Sequence, residues 1–314
     1  MKKTMLITGG TGFLGRQLAL TLREQYDIVL TGRNNKQNQY AGQKTGCKVM
    51  PLDVTNIEAV RDAVVETRPD IIIHAAATKF VDLSEKFPME CVDVNVVGSQ
   101  NVARVAVDKN VGAVIGISTD KAAPPVRNTY GLSKAMMERM FCAMNSKAST
   151  RFACVRYGNV AWSTGSVLPI WKKMHEDTGV IRSTGPGMRR FFFTIGEAVT
   201  LVRTCIENME TMAGRVLSRT MKSAQIKDLL DTWVEAKGGR WETMEGRPGE
   251  RDDEFLIGDL ELAYTREVDF GGVKHFVITF NEKALKPLEV GLSSANTQRL
   301  TKPEMLEILN HSDE

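Results

Sequence analysis

The 314-residue chain has no apolar run near the ~18 residues that a membrane span requires. After Met1-Lys2-Lys3 only a few apolar residues precede Gly9-Gly10, too few for the core of a secretory signal. Cysteines are sparse: Cys47, Cys91, Cys142, Cys154 and Cys205 form no CxxC pair and no regular framework, which favours a reduced setting over a disulfide-stapled one. Charge of one sign is also lacking. The 41 basic and 38 acidic residues leave +3, too little and too evenly spread to imply nucleic-acid or membrane-surface binding. Neither repeats nor low-complexity tracts occur, which excludes solenoids and linker-joined arrays. The histidines (His74, His175, His275, His311) are scattered without metal-ligand spacing, so no metal is expected, and His74 reads as a core histidine at a strand end. A soluble, cytoplasmic protein is the expectation.

What is present is a core. The chain is 42% hydrophobic and 25% charged, close to the globular average, with room for two domains. Short apolar runs (Met5-Leu6-Ile7, Ile28-Val29-Leu30, Val49-Met50 with Leu52, Ile71-Ile72-Ile73, Ala113 to Ile117, Phe152 to Val155) alternate with helical stretches at Phe13–Gln25, Ile57–Thr67, Met89–Lys109 and Tyr130–Ser146. Strands apolar on both faces with helices between them predict an α/β fold, a Rossmann-type doubly wound parallel sheet in βαβ units. Past residue 158 Gly and Pro become denser and helices shorter. We expect residues 1–158 to form a dinucleotide-binding domain and 159–314 a smaller α/β substrate region, partly interleaved with the first.

The first strand runs into Thr8-Gly9-Gly10-Thr11-Gly12-Phe13-Leu14-Gly15. Glycines at 9, 12 and 15 permit a tight turn, close approach of a pyrophosphate, and tight packing of a helix whose N-terminus favours that anion. An acid about 20 residues on usually holds the ribose 2′-hydroxyl of NAD. Here no Asp or Glu occurs between residues 28 and 52. Arg33 instead offers a fork of donors suited to a 2′-phosphate, with Asn34 and Lys36 beside it, so NADP is favoured over NAD. The bland reading is that Arg33 and Lys36 solvate a surface loop. Asp53, followed by Val54, either accepts from the adenine amino group or caps the Ile57 helix; both remain open.

The fifth strand ends in Ser118-Thr119-Asp120-Lys121, and Tyr130-Gly131-Leu132-Ser133-Lys134 follows. Tyr and Lys four apart share a helix face. An adjacent ammonium and a cationic nicotinamide would stabilise the phenolate of Tyr130, whose reference pKa is ~10, and make it a base near neutral pH. Lys134 would also reach the nicotinamide ribose.

These motifs resemble the extended short-chain dehydrogenase/reductases, and within them the inverting UDP-N-acetylglucosamine 4,6-dehydratases of polysaccharide biosynthesis. The resemblance runs from the Gly9–Gly15 loop through His74-Ala75-Ala76-Ala77-Thr78-Lys79, Asn95 within Val94–Gly98, Ser118–Ala122 and Tyr130-Gly131-x-x-Lys134. It continues in Arg156-Tyr157-Gly158-Asn159-Val160, Gly165–Pro169, Arg190-Phe191, Arg247-Pro248-Gly249-Glu250 and Ser293–Leu300. It implies that Tyr130, with Thr119, takes the sugar 4-hydroxyl proton, that Lys121 removes the carbon 5 proton, and that Asp120 protonates the departing 6-hydroxyl. Lys121 must then be neutral and Asp120 protonated. Depressing a lysine by about three units implies ~4 kcal/mol of desolvation or like-charge pressure. It further implies that Ala75, Ala76, Ala77, Lys79 and Asn95 help hold the cofactor, and that Lys79, Asn159, Ser166, Val167, Arg190 and Arg247 hold a nucleotide sugar. Homo-oligomers built through the long helices are implied as well. Two departures stand out: the Lys121–Tyr130 loop contains Pro124-Pro125 and is one residue longer than the family's usual loop, and Trp162 stands where a small or basic residue is expected. A 4-epimerase or reductase using Tyr130 and Lys134 without the Asp-Lys pair is the competing enzyme. A non-catalytic NADP-binding protein is the reading from another class.

Overall fold

The computed structural model describes residues 2–246 and 249–311. Each apolar run of the first half becomes a strand: β1 (Lys3–Thr8), β2 (Tyr26–Gly32), β3 (Lys48–Pro51), β4 (Ile71–His74), β5 (Ala113–Ile117) and β6 (Arg151–Val155). All six pair in parallel in the order β3-β2-β1-β4-β5-β6. Among the described residues the sheet has nine strands. Val216–Arg219 adds in parallel beside β6, and the antiparallel strands Val273–Ile278 and Thr265–Phe270 close that edge. This is the doubly wound Rossmann arrangement, with its strand-order reversal between β1 and β4.

Alternating residues serve opposite faces, as a pleated strand requires. Met5, Ile7, Ile28, Leu30, Ile73 and Ile115 pack on one side against helix α1 (Phe13–Leu22) and much of the chain beyond residue 157. Leu6, Val29, Ile72, Val114 and Phe152 pack on the other, beneath helices between β3 and β6. Helices α2 (Asn35–Thr45), α3 (Ile57–Thr67), α4 (Val81–Lys86), α5 (Pro88–Val92), α6 (Gly98–Asp108) and α7 (Thr129–Met144) follow in chain order. The stretch expected as one helix over Met89–Lys109 is α5 and α6 joined by a π-helical segment, Asp93–Val97. α2 was not expected. It is polar, and it is held by the Asn34 side chain accepting from Gln37 N, by buried Ala41, and by Asn38 donating to Gly32 O at 2.9 Å. The cap of α3 is Asn56, whose side chain accepts from Glu58 N and Ala59 N, so the capping role considered for Asp53 is overturned.

The segment 256–261 is locked to the sheet and to α7 at Arg156, just past β6. Its guanidinium, 1% exposed, makes two hydrogen bonds to Glu138 of α7 (2.9 and 2.6 Å), two to Glu261 (both 2.8 Å) and one to Leu256 O (2.9 Å). Removing one member of such a buried network strands charges that cannot be rehydrated. Arg156→Leu is therefore expected to lower the unfolding free energy by about 3–5 kcal/mol, read as an early urea transition.

Candidate active site

At the C-terminal ends of β1, β4, β5 and β6 lies a cavity of about 740 Å³. Its floor begins at Gly9, whose φ of +65 and close approach to the Ala76 backbone (an added Cβ would sit 2.6 Å away) exclude any side chain. Gly12 then starts α1 with no side chain capping its amides, leaving helix N–H donors facing the cavity. Thr11, Phe13, Leu14 and Gly15 line this end, with Val54 and Ala75, Ala76 and Ala77 from the strand ends opposite. These groups fit a dinucleotide: a glycine cradle, unclaimed amides and a cleft at the strand-order reversal. Arg33 is half-exposed at the rim, 4.0 Å from Asp53 Oδ2. Asn34 lines the cavity while its carbonyl oxygen caps α2. Lys36 and Asp53 do not line it. Lys36 is exposed on the first turn of α2, and Asp53 Oδ1 is taken by Thr55 N (2.9 Å) and Thr55 Oγ1 (2.8 Å).

Asn95 is also absent from the wall. Fully buried in the π-helical segment, it accepts from Thr78 N and donates to Thr78 O, both at 2.8 Å, and donates to Ser133 Oγ at 2.9 Å. It acts as a brace between the loop after β4 and α7, and contact with cofactor is not its role. Lys79 stands exposed at the rim, its Nζ 6.0 Å from the Phe80 ring centroid. His74 is fully buried between Thr8 Oγ1 (2.7 Å) and Ser99 Oγ (2.9 Å), and burial lowers it to about 3, so it is neutral.

The candidate acid–base residues converge at one end of the cavity. Thr119, Lys121, Tyr130 and Lys134 line it together. Their register comes from two backbone contacts. Asp120 N donates to Tyr157 O at 2.9 Å, and Gly131 lets α7 approach the Lys121 carbonyl so closely that an added Cβ would sit 2.2 Å from it. The Pro124-Pro125 loop therefore does not displace the pair. Lys121 Nζ meets three acceptors: Asp120 Oδ1 at 3.0 Å, Asn159 Oδ1 at 3.4 Å and Glu254 Oε1 at 3.7 Å. Thr119 Oγ1 donates to Asp120 Oδ1 at 2.9 Å.

Three expectations are corrected here. Burial alone would lower Lys121, but the Asp120 and Glu254 carboxylates outweigh it and hold the ammonium above its ordinary value, so the lysine is charged rather than neutral. Asp120 has no exposed surface and does not line the cavity; its carboxylate bonds to Lys121 and Thr119 and reaches the cavity only through Lys121. Burial pushes the Tyr130 hydroxyl up to about 12, and the ammonium that opposes this is Lys121, with Thr119 assisting, whereas Lys134 Nζ lies 3.6 Å from Met137 Sδ. Glu254 was missed. It sits four residues past the Arg247–Glu250 motif, and no spacing rule links it to Lys121.

The sugar-binding candidates are only partly assembled. Asn159, from the short strand Asn159–Val160, lines the cavity together with Ser166 and Val167 at the start of helix α8 (Val167–Thr178), where Ser166 Oγ is buried with no partner among the described residues. Arg190 lines it too, tied to Arg189 O at 2.8 Å. Arg247 lies outside the described residues. Trp162 does not line the cavity: it adopts a positive φ of 60 and donates to Ile308 O of the C-terminal helix at 2.6 Å, so it anchors that helix and is no guide to the sugar.

Such a sheet and cleft, with a Tyr-Lys helix beside them, define an extended short-chain dehydrogenase/reductase. Residues 5–271 match the family model described as polysaccharide biosynthesis protein, and the chain belongs to that family, among nucleotide-sugar dehydratases and epimerases. It is 35% identical to an uncharacterized membrane protein of Methanocaldococcus jannaschii, covering 90% of this chain and 92% of that one. It is 32% identical to the inverting UDP-N-acetylglucosamine 4,6-dehydratase of Campylobacter jejuni (99% and 98%), and 31% identical to a UDP-glucose 4-epimerase of Rickettsia bellii (99% and 96%). Among solved structures it superposes on Pen from Bacillus thuringiensis with a TM-score of 0.89 at 27% identity, covering 98% and 97% of the two chains. Among the described residues no helix is long and apolar enough to cross a membrane, and no group of His, Cys, Asp or Glu has a metal-binding arrangement.

Burial lowers Lys134 to about 8 from 10.5, so carrying its charge destabilises the folded chain by about 3 kcal/mol below pH 8. The unfolded chain binds more protons between pH 8 and 10.5, so this penalty fades as pH rises through that window. Lys134→Met is expected to stabilise the cofactor-free protein at pH 7, and the gain to vanish above pH 10.5 in urea titrations run at each pH.

Proposed function

We propose that the chain is an NADP-dependent UDP-N-acetylglucosamine 4,6-dehydratase that inverts carbon 5. The observation that carries this reading is the adjacent Asp120–Lys121 pair, hydrogen-bonded at 3.0 Å with Lys121 on the cavity wall beside Tyr130. In this reading residues 1–158 carry the cofactor and 159–314 the sugar nucleotide. Gly9–Gly15, Arg33 and Ala75–Ala77 would hold the dinucleotide, which supplies a reversible two-electron acceptor and makes the reaction redox-neutral. Tyr130 would take the proton of the 4-hydroxyl as a phenolate, a form that burial opposes and that the Lys121 ammonium, the Thr119 hydrogen bond and a positively charged nicotinamide favour. Oxidation at carbon 4 acidifies the carbon 5 proton, which the Lys121 amine removes. The charged state of Lys121 is no obstacle: one proton passing from Nζ to Asp120 Oδ1 along the existing hydrogen bond yields both required forms, a free amine and a carboxylic acid. The pair, then carrying two acidic protons, gives one to the departing 6-hydroxyl, and one water leaves; hydride would return to carbon 6 and a proton to the opposite face of carbon 5, and the proton taken from the 4-hydroxyl balances that second transfer.

The half-exposed Arg33 guanidinium and the lack of any nearby acid other than Asp53 support NADP over NAD. The exposed apolar residues Met89, Val97, Leu132 and Met136 along α5 to α7 support a homo-oligomer, and in this reading the enzyme is cytoplasmic. The similarity to the Rickettsia bellii epimerase supports a second reading, 4-epimerisation of a UDP-hexose, in which the Asp-Lys pair is idle.

Incubation with UDP-N-acetylglucosamine and NADP is expected to give a product lighter by one water, with a 6-methyl, 4-keto sugar by NMR. Lys121→Ala should slow it by about 10²–10⁴-fold. An isomer of unchanged mass would overturn the dehydratase reading. Arg33→Ala is expected to weaken NADP binding about tenfold while leaving NAD nearly unaffected, as titration calorimetry would show.

A further inference from the structure

We infer that Glu254 is a positioning residue of the acid–base unit: its carboxylate is the second counter-charge of Lys121 and sets how readily that side chain yields its proton. This deepens the proposed function and rests on Lys121 being its base. Glu254 is 4% exposed, lines the cavity, and has Oε1 3.7 Å from Lys121 Nζ while Oε2 has no protein hydrogen-bond partner among the described residues. Its position is built, because its backbone is clamped to Ser294 on both sides. Glu254 N donates to Ser294 Oγ at 3.0 Å, and Ser294 N donates to Glu254 O at 2.8 Å.

An ammonium has three donors, and here Asp120, Asn159 and Glu254 stand around it. Asp120 comes from its own turn, Asn159 from the segment after β6, and Glu254 from the loop before the strand Phe255–Ile257. Among the described residues, the other charged or titratable groups facing the cluster are Arg190 from the strand Arg189–Phe193, Tyr130 from α7, and Arg251, which faces Glu254 and Asp120. Asp120 already shares a hydrogen bond with Lys121 and is the nearest proton acceptor. A second carboxylate is not needed to receive that proton, but it adds attraction that keeps the amine charged until substrate arrives. Glu254 itself is raised by burial, against the pull of Lys121.

Brief acetic anhydride pulses across a pH series, with the Lys121 peptide quantified by mass spectrometry, read its free-amine fraction without turnover. In full-length Glu254→Gln the labelling midpoint is expected to fall by about one unit or more, since an opposite charge this close shifts a group by one to three. Glu254→Asp, with the charge one methylene further away, should fall by less. The ascending limb of kcat against pH should move acid-ward in parallel. Circular dichroism checks folding, and Glu254→Ala substitutes if the Gln variant does not fold. An unshifted midpoint in the folded variant overturns the inference, even if the wild type dehydrates its substrate. A shifted midpoint in a protein that removes no water from any nucleotide sugar upholds the role of Glu254 and defeats the dehydratase reading instead.

Discussion

The site depends on the buried charge network around Arg156. This residue leaves β6 at the sheet edge of the cavity, holds α7 through Glu138, and holds the Leu256–Glu261 segment through that carboxylate and a carbonyl. α7 carries Tyr130 and Lys134, and the segment on the other side carries Glu254. Two elements near in sequence, β6 and α7, are thereby fixed to a segment that begins 100 residues past Arg156, all around one guanidinium. A planar fork with donors along both edges does this where an ammonium could not. The cost of desolvating three charges is offset only because almost every donor is matched, which leaves little tolerance for movement.

That rigidity gives the acid–base groups their character. In water the charges of Asp120, Lys121 and Glu254 would be hydrated and largely screened from one another. Drawn together in a poorly hydrated corner they form a unit in which moving one proton by a hydrogen-bond length changes the chemistry of two residues. Lys121 also replaces Lys134 as the cation acting on the Tyr130 hydroxyl, so one side chain connects the oxidation at carbon 4 with the elimination across carbons 5 and 6 in the proposed reaction. Lys134 is held near the point of losing its charge by burial, which outweighs the opposing pull of Cys154, Glu138 and Cys91.

Local features of the sequence carried far. Continuous apolar runs predicted β1 to β6 because strands buried on both faces need no polar alternation, and Ile57–Thr67 was read to the residue because its apolar stripe is regular. Gly9 and the Tyr130–Lys134 spacing were recognisable since each expresses a backbone or helical constraint confined to a few residues. α2 escaped because it has no apolar stripe; a side-chain cap, Ala41 and the Asn38 hydrogen bond hold it in place.

Whatever depended on which distant segments meet was invisible. Asn95 and Asp53 sit in motifs beside the cofactor cleft, yet one braces a loop against a helix and the other bonds its own neighbour. Trp162 turned out to hold a C-terminal helix 146 residues away. The chain alone determined the parallel sheet, the glycine cradle and the shared helix face of Tyr130 and Lys134, because periodicity and short spacings encode them. Tertiary structure decided their charge states and the arrival of Glu254, because a proton's affinity depends on burial and on neighbours brought in by the fold.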